Sequence, residues 1–447
     1  MDIIELFQEV WFTFTSLVAQ IWVSGPMEVA LKFVPFALFI EMPVQITIML
    51  GVLKWAVYRD HSVPLDLPYY PRVSCVILCY AEGAAVASTI RSLAEQIYPG
   101  HIELLIVVDG SSHNRATLEV SNALVPEVTR LRNRSIKILP KLQRGGRVSG
   151  CNLGLELATG EILMALDADT SFDNDMVANA VKHFREPNVV GVAGNLRVRN
   201  ANVSLVTRLQ AIEYMLTIHA SRIGLDQFNA VNNISGAFGV FRRSFIKKVG
   251  GWDSGTAEDL DMTLRIKKYF GRHPKLRIRF EPYAIGHTDV PETLRGFFNQ
   301  RLRWDGDLFY VYLRKYRHAL TPRLLGWTNF VMLMWTGLLF QVLLPLVIII
   351  YTTYIFVVYP ASLVFGVLLF IYSFYALITA LFFLEYIVLV SERPREDLRF
   401  AWCLPLFPVL AFASRVWCGV AGLSEMLLKS QLDSSMAPWW VLRKTKF

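Results

Sequence analysis

The sequence predicts an α/β domain inserted between membrane and interfacial α-helices, and three observations carry that expectation. The 447-residue chain is 53% hydrophobic and 13% aromatic, more apolar than an ordinary soluble domain. Residues 60–320 alternate strand and helix periods, whereas both ends are almost free of charge. Within the middle region, acidic residues recur at strand ends and at a helix start. The expected division is 1–58, N-terminal interfacial and transmembrane helices; 60–320, the α/β domain; 321–430, C-terminal transmembrane and interfacial helices; and 431–447, a basic tail.

Residues 3–23 are apolar and aromatic but carry Glu5, Gln8 and Glu9, so the pattern fits a span or a helix lying in the interface. Residues 29–58 are long enough to cross a bilayer, which takes roughly 20 apolar residues. No short apolar core with a small-residue cleavage site precedes them, so no removable signal peptide is expected. Residues 327–359 and 361–390 form two further candidate spans, and Pro360 between them predicts a helical hairpin. Residues 401–428 hold Pro405, Pro408, Arg415 and Glu425 in an apolar background, which fits an interfacial or re-entrant helix as well as a span.

Lys54, Arg59, Arg323, Arg393, Arg395, Arg399 and the tail fall on one side if the hairpin returns. By the positive-inside rule that side is the cytoplasm, so the expectation is a multi-pass plasma (inner) membrane protein with a cytoplasmic domain. The net charge of +8 crowds beside membrane segments, which points to lipid headgroups and away from nucleic acid. Five cysteines (Cys75, Cys79, Cys151, Cys403, Cys418) form no CxxC pair, so packing residues in a reducing compartment are expected.

In the α/β domain, "PRVSCVILCY" at 71–80 reads as a strand, the next twenty residues as a helix, and "IELLIVVDG" as a second strand. Strand, helix, strand is a parallel crossover unit, and in such sheets ligands bind beyond the carboxyl ends of the strands. Asp109 sits at such an end, where a plain turn is the competing explanation. "GEILMALDADT" ends another buried strand in Asp167 and Asp169. Two carboxylates on one side of a strand repel unless a cation separates them, which implies a hard divalent ion shared with phosphate oxygens. A solvated acidic loop running on to Asp173 and Asp175 is the alternative. Glu258, Asp259 and Asp261 precede an amphipathic run, a place where carboxylates are also favoured by the helix dipole.

Together, Asp109, the Asp167-x-Asp169 pair, the Glu258–Asp259 cluster and "QRLRW" at 300–304 resemble the processive membrane glycosyltransferases of family two, the group of cellulose, chitin, hyaluronan and poly-N-acetylglucosamine synthases. The resemblance covers residues 70–310 and implies a GT-A type domain with a mixed, mostly parallel sheet. It implies that Asp109 and Asp167 contact the uridine diphosphate of a nucleotide-sugar donor, that Asp169 with Asp167 holds Mg2+ or Mn2+, and that Asp259, next to Glu258, is the catalytic base. It further implies that Arg303, with Arg301 second, faces the leaving diphosphate, while Gln300 and Trp304 hold the growing polysaccharide acceptor. In "GGRVSGCN", Arg147 stands where the family usually has lysine, as a diphosphate contact, and Asn152 closes the segment. "WWVLRKTKF" resembles a gating element that would place Trp440 and Arg443 over the nucleotide, with a basic membrane-side tail as the alternative. "NNISGAFGVFRRS" resembles the acceptor-side loop, with Gly236 and Gly239 equally suited to turns. The expected activity is inverting polymerisation with export, which leaves room for an accessory export subunit; transfer of one sugar to a lipid is the alternative.

Overall fold

A single eight-stranded sheet organises the domain in the computed structural model, which describes residues 2–58, 69–253 and 257–428. Its strands are β1 (Val73–Cys79), β2 (Ile102–Asp109), β3 (Arg134–Lys141), β4 (Ile162–Asp167), β5 (Ser171–Phe172), β6 (Val189–Val198), β7 (Phe238–Arg242) and β8 (Arg277–Thr288). They lie in the order β3-β2-β1-β4-β7-β6-β8-β5. The first four of that order are mutually parallel, and β7 runs antiparallel to both β4 and β6. The sheet is thus mixed and mostly parallel, as expected.

The inner parallel strands β1, β2 and β4 read as near-continuous apolar runs because both faces are covered, whereas the edge strand β3 is only partly buried. Every residue of β2 is buried, and β1 is buried except at Leu78. Register places Cys79 beside Val108 and Leu78 beside Asp167, so the carboxyl ends of β1, β2 and β4 finish level at one edge. Asp109 and Asp167 therefore project from the same rim, with β1 between them.

One face packs on Val86, Ile90, Leu93, Met176, Val177 and Phe184. The other face is continuous with the membrane segments: Val44, Ile48, Val52, Tyr386 and Val390 share a core with Leu155, Trp252 and Ile266. The helix Met42–Tyr58 crosses the helix Ser221–Asp226 where Gly51 meets Gly224, and a Cβ on Gly51 would collide with the Gly224 carbonyl. Close backbone approach through paired glycines is how a membrane helix docks without side chains between.

Among the described residues, four helical segments are long and apolar enough to cross a membrane: Ala37–Tyr58, Trp327–Val358, Ala361–Val390 and Pro394–Leu427. The first is shorter than the expected 29–58, because the chain breaks after Pro26–Phe33 at Val34, whose φ of −134° and ψ of 43° precede Pro35. Proline removes a donor and disfavours helical geometry in the residue before it. Pro360 caps the second helix of the hairpin. Ile3–Ser24 is one helix, started by a reciprocal Asp2–Glu5 capping box and packed along Ala361–Glu385. The last segment turns through a 3-10 stretch, Leu398–Leu406, into the helix Phe407–Leu428.

Candidate active site

Asp109, at the end of β2, is held from three directions. Its carboxylate accepts the backbone N–H of Gly145 at 2.9 Å and of Gly146 at 2.8 Å, and pairs with Lys141 Nζ at 2.7 Å. These bonds pin the start of the helix Gly146–Leu157, where Gly146 takes a positive φ of 75° that suits glycine. Asp109 thereby fixes the entry of the segment carrying Arg147.

Asp167 ends β4 and pairs with Arg147. Asp169 follows on the turn, accepting a bond from Thr170 Oγ1 at 3.3 Å. Burial, and then the neighbouring Asp167, raise the Asp169 carboxyl above the ordinary range. Glu82, on the loop after β1, joins this rim; burial pushes it up to about 7, with Asp169 and Asp167 adding to the rise. Its Oε2 is buried without a hydrogen-bond partner. Asp173 instead pairs with His287 at 2.8 Å, which removes it from the rim.

The acids of the helix Glu258–Lys267 point three ways. Glu258 Oε1 meets Arg147 Nε at 2.5 Å, and burial pushes the Glu258 carboxyl up to about 8 against the opposing pull of that arginine. Asp259 Oδ2 accepts Asn233 Nδ2 and the Gly236 N–H, both at 3.0 Å, which orients it toward the 233–236 loop. Asp261, fully buried, takes Tyr316 Oη at 2.5 Å and Lys315 Nζ at 2.7 Å, tying the helix to the segment leading into the membrane. Capping does not account for the cluster, since the N-cap Ala257 offers no side-chain bond and each acid has a tertiary partner. Asn152 clamps the Trp252 backbone by two bonds of 2.8 Å and so holds the turn ahead of that helix.

The 300–304 cluster lies on the helix Leu294–Phe309. Helical spacing stacks Phe297, Arg301 and Trp304 on one face, with the Arg301 guanidinium 5.0 Å from each ring. Arg301 is also paired with Glu213 at 2.6 Å. Arg303 is exposed, Trp304 is 36% exposed, and Gln300 Oε1 is buried without a hydrogen-bond partner. Behind this helix, Phe407–Leu428 packs so closely that a Cβ on Gly422 would collide with the Phe309 ring, and Trp417 Nε1 donates to Phe298 O at 2.7 Å. Trp440 and Arg443 lie outside the described residues.

Residues 74–250 match the sequence profile of the family described as "Glycosyl transferase family 2". Over those residues the chain is similar to family 2 glycosyltransferase domains. It is 32% identical over 234 residues to a poly-beta-1,6-N-acetyl-D-glucosamine synthase of Staphylococcus epidermidis, covering 52% of this chain and 53% of that protein. The same identity extends over 237 residues of the Staphylococcus aureus protein of that name, again covering 52% and 53%. The match thus spans about half the length of these curated relatives. A mannosyltransferase of Pyrobaculum calidifontis, solved in complex with GDP-Man and Mn2+, superposes with a TM-score of 0.52 at 18% identity, covering 87% of this chain and 98% of that one. That likeness shows the fold, a GT-A glycosyltransferase sheet.

In the glycosyltransferase domain, the rim of Glu82, Asp167 and Asp169 suits a divalent cation. Asp169 is raised by burial and then by Asp167, and Glu82 by burial and then by both aspartates, a rise that added positive charge would relieve. No set of three acidic, histidine or cysteine side chains converges as a complete cage among the described residues, so substrate phosphate oxygens and water would complete the shell, as is usual for magnesium. Glu82, Glu213 and the Lys315–Tyr316 pair were not singled out from the sequence. Their partners lie far away along the chain, 88 residues for Glu213 and 55 for Tyr316, so only the adjacency of Glu82 to a strand end offered a local signal.

Proposed function

We propose that the protein is a processive, inverting glycosyltransferase that polymerises a β-linked polysaccharide from a UDP-sugar. The names of the relatives favour an N-acetylglucosamine donor. The observation that carries this reading is the oriented Asp259, joined to the Asp167–Asp169 turn through Arg147, Glu258 and Gly236, while the helix with Gln300, Arg301 and Trp304 packs against the apolar helix Phe407–Leu428.

Asp259 accepts the proton of the acceptor hydroxyl as that oxygen attacks the anomeric carbon. Its Oδ2 accepts Asn233 and Gly236 and its Oδ1 accepts the Leu260 N–H, so the base is fixed before substrate arrives. Asp169 with Asp167 would hold Mg2+ or Mn2+, which when bound supplies positive charge to the departing diphosphate. Asp109 shapes the uridine end by fixing the 145–146 turn. Exposed Arg303 is free to reach a diphosphate with its planar fork, whereas Arg301 is engaged by Glu213 and orders the Trp304 ring instead. Trp304 offers a flat apolar face to the terminal sugar, and Gln300 brings an unsatisfied acceptor. Glu258 joins the site through Arg147. Trp440 and Arg443 are assigned to closure over the nucleotide.

The proposed division is 1–58 and 321–430 as membrane and interfacial segments around a cytoplasmic 60–320 domain, with 431–447 as a gating tail. Lys54, Arg323, Arg393, Arg395 and Arg399 set that orientation in the plasma membrane. The growing chain is too polar to cross lipid unaided, so the helices with Glu41, Gln45, Gln341 and Glu385 would line its path, alone or with an accessory export subunit. Purified protein in lipid, supplied with a panel of nucleotide sugars, tests the reading by the nucleotide released. Release from one UDP-sugar, abolished by chelator, is expected; no release from any donor overturns it.

A further inference from the structure

Arg147 is the most heavily engaged side chain of the site. Its guanidinium pairs through Nη1 with Asp167 Oδ1, through Nε with Glu258 Oε1 at 2.5 Å, and donates through Nη2 to the Gly236 carbonyl. The side chain is 11% exposed, so all three interactions form out of bulk water. The three partners belong to three separate parts of the crevice. Asp167 is the strand-end acid next to Asp169, Glu258 is the residue before Asp259, and Gly236 donates its own N–H to Asp259 Oδ2 at 3.0 Å. Arg147 thus reaches Asp259 by two routes, through the peptide of Gly236 and through the first turn of the helix Glu258–Lys267.

We infer that Arg147 is a positioning residue that sets the distance between the donor-side acids and the base, by bridging Asp167, Glu258 and the Gly236 loop. The inference rests on the glycosyltransferase reading above. A planar fork can satisfy three acceptors in fixed directions at once, and a lysine ammonium on a flexible stem cannot hold the same plane. The fit around the bridge is tight: a Cβ on Gly236 would lie 2.9 Å from Glu258 Oε1 and 3.3 Å from Arg147 Nη2. Glycine at 236 is therefore what lets the bridge close.

A guanidinium that binds diphosphate directly is needed for donor affinity, whereas one that spaces the acids is needed for turnover. Arg147→Lys keeps the buried charge and so should fold. With Mn2+ present, its affinity for UDP should stay within about threefold of wild type while kcat falls by about a hundredfold, the scale of a reacting group misplaced by an ångström. Gly236→Ala, which keeps the guanidinium but wedges the bridge apart, should show the same split. Arg147→Gln combined with Glu258→Gln should be no slower than Arg147→Gln alone, since both act through one bridge. A loss of UDP affinity in Arg147→Lys that matches its loss of kcat would overturn the inference, as would wild-type turnover in Gly236→Ala. A wild-type protein that releases nucleotide from no donor fails the functional reading instead, and is read in the same assay before any variant.

Discussion

The role proposed for Asp259 rests on how its carboxylate is held. With Asn233 and Gly236 bonded to one oxygen, the replacement Asp259→Asn keeps the shape of the site but removes the proton acceptor. Turnover should drop by several orders of magnitude while UDP affinity persists, as the proposed role on the acceptor hydroxyl requires. A variant with near-normal kcat would remove Asp259 from the chemistry. On the same helix, Lys267 is 1% exposed, and burial lowers its amine from the usual lysine range to about 7. A folded-state pKa below the unfolded one means that stability contributed at high pH is lost as pH falls from roughly 10 toward 7. Lys267→Met carries no such titration. Its melting temperature should exceed that of the wild type by a margin that widens over that interval and levels off below it. A margin independent of pH would show that the amine finds charge compensation in the fold.

Two helices are seated by close glycine contacts. Gly51 against Gly224 seats the helix Met42–Tyr58 on the domain, and Gly422 against Phe309 seats Phe407–Leu428 behind the helix that carries Trp304. Forcing side chains into packed contacts costs about 1–3 kcal/mol. Gly51→Val should therefore lower thermal stability by that order, whereas Gly422→Val should also disturb Trp304 and shorten the product. Equal melting curves for Gly51→Val and wild type would mean that the two helices separate without cost. Strand identities and the carboxyl-end acids were readable from sequence, because buried parallel strands leave apolar runs that end abruptly in aspartate. The break at Val34 was signalled by Pro35 but outweighed by the apolar run around it. The Arg301–Glu213 pair was not readable, since 88 residues separate its partners and nothing local marks either. Reading Arg147 as a free diphosphate contact likewise missed its partners, which come from β4, the 236 loop and a third helix.

Across the whole molecule, the second face of the sheet and the membrane helices share one core, with Val44, Ile48 and Tyr386 packed alongside Leu155 and Ile266. The domain and these helices are therefore packed together through one apolar cluster. In the proposed polymerase, that joint would keep the acceptor end in register with Asp259 while the chain moves away through the membrane. Trp304, half open at that junction, is the proposed platform for the terminal sugar. Stacking on an aromatic ring is worth roughly 1–3 kcal/mol for a nucleic-acid base, and a sugar face on indole falls in or below that range. Trp304→Ala should accordingly shorten the product at matched donor turnover and not abolish it. The size distribution of labelled product, followed over time with purified protein in lipid and UDP-N-acetylglucosamine, tests the account most directly. Long polymer from the earliest turnovers, with few intermediate lengths, is the predicted result; a product that never grows beyond one sugar on a lipid acceptor would contradict it.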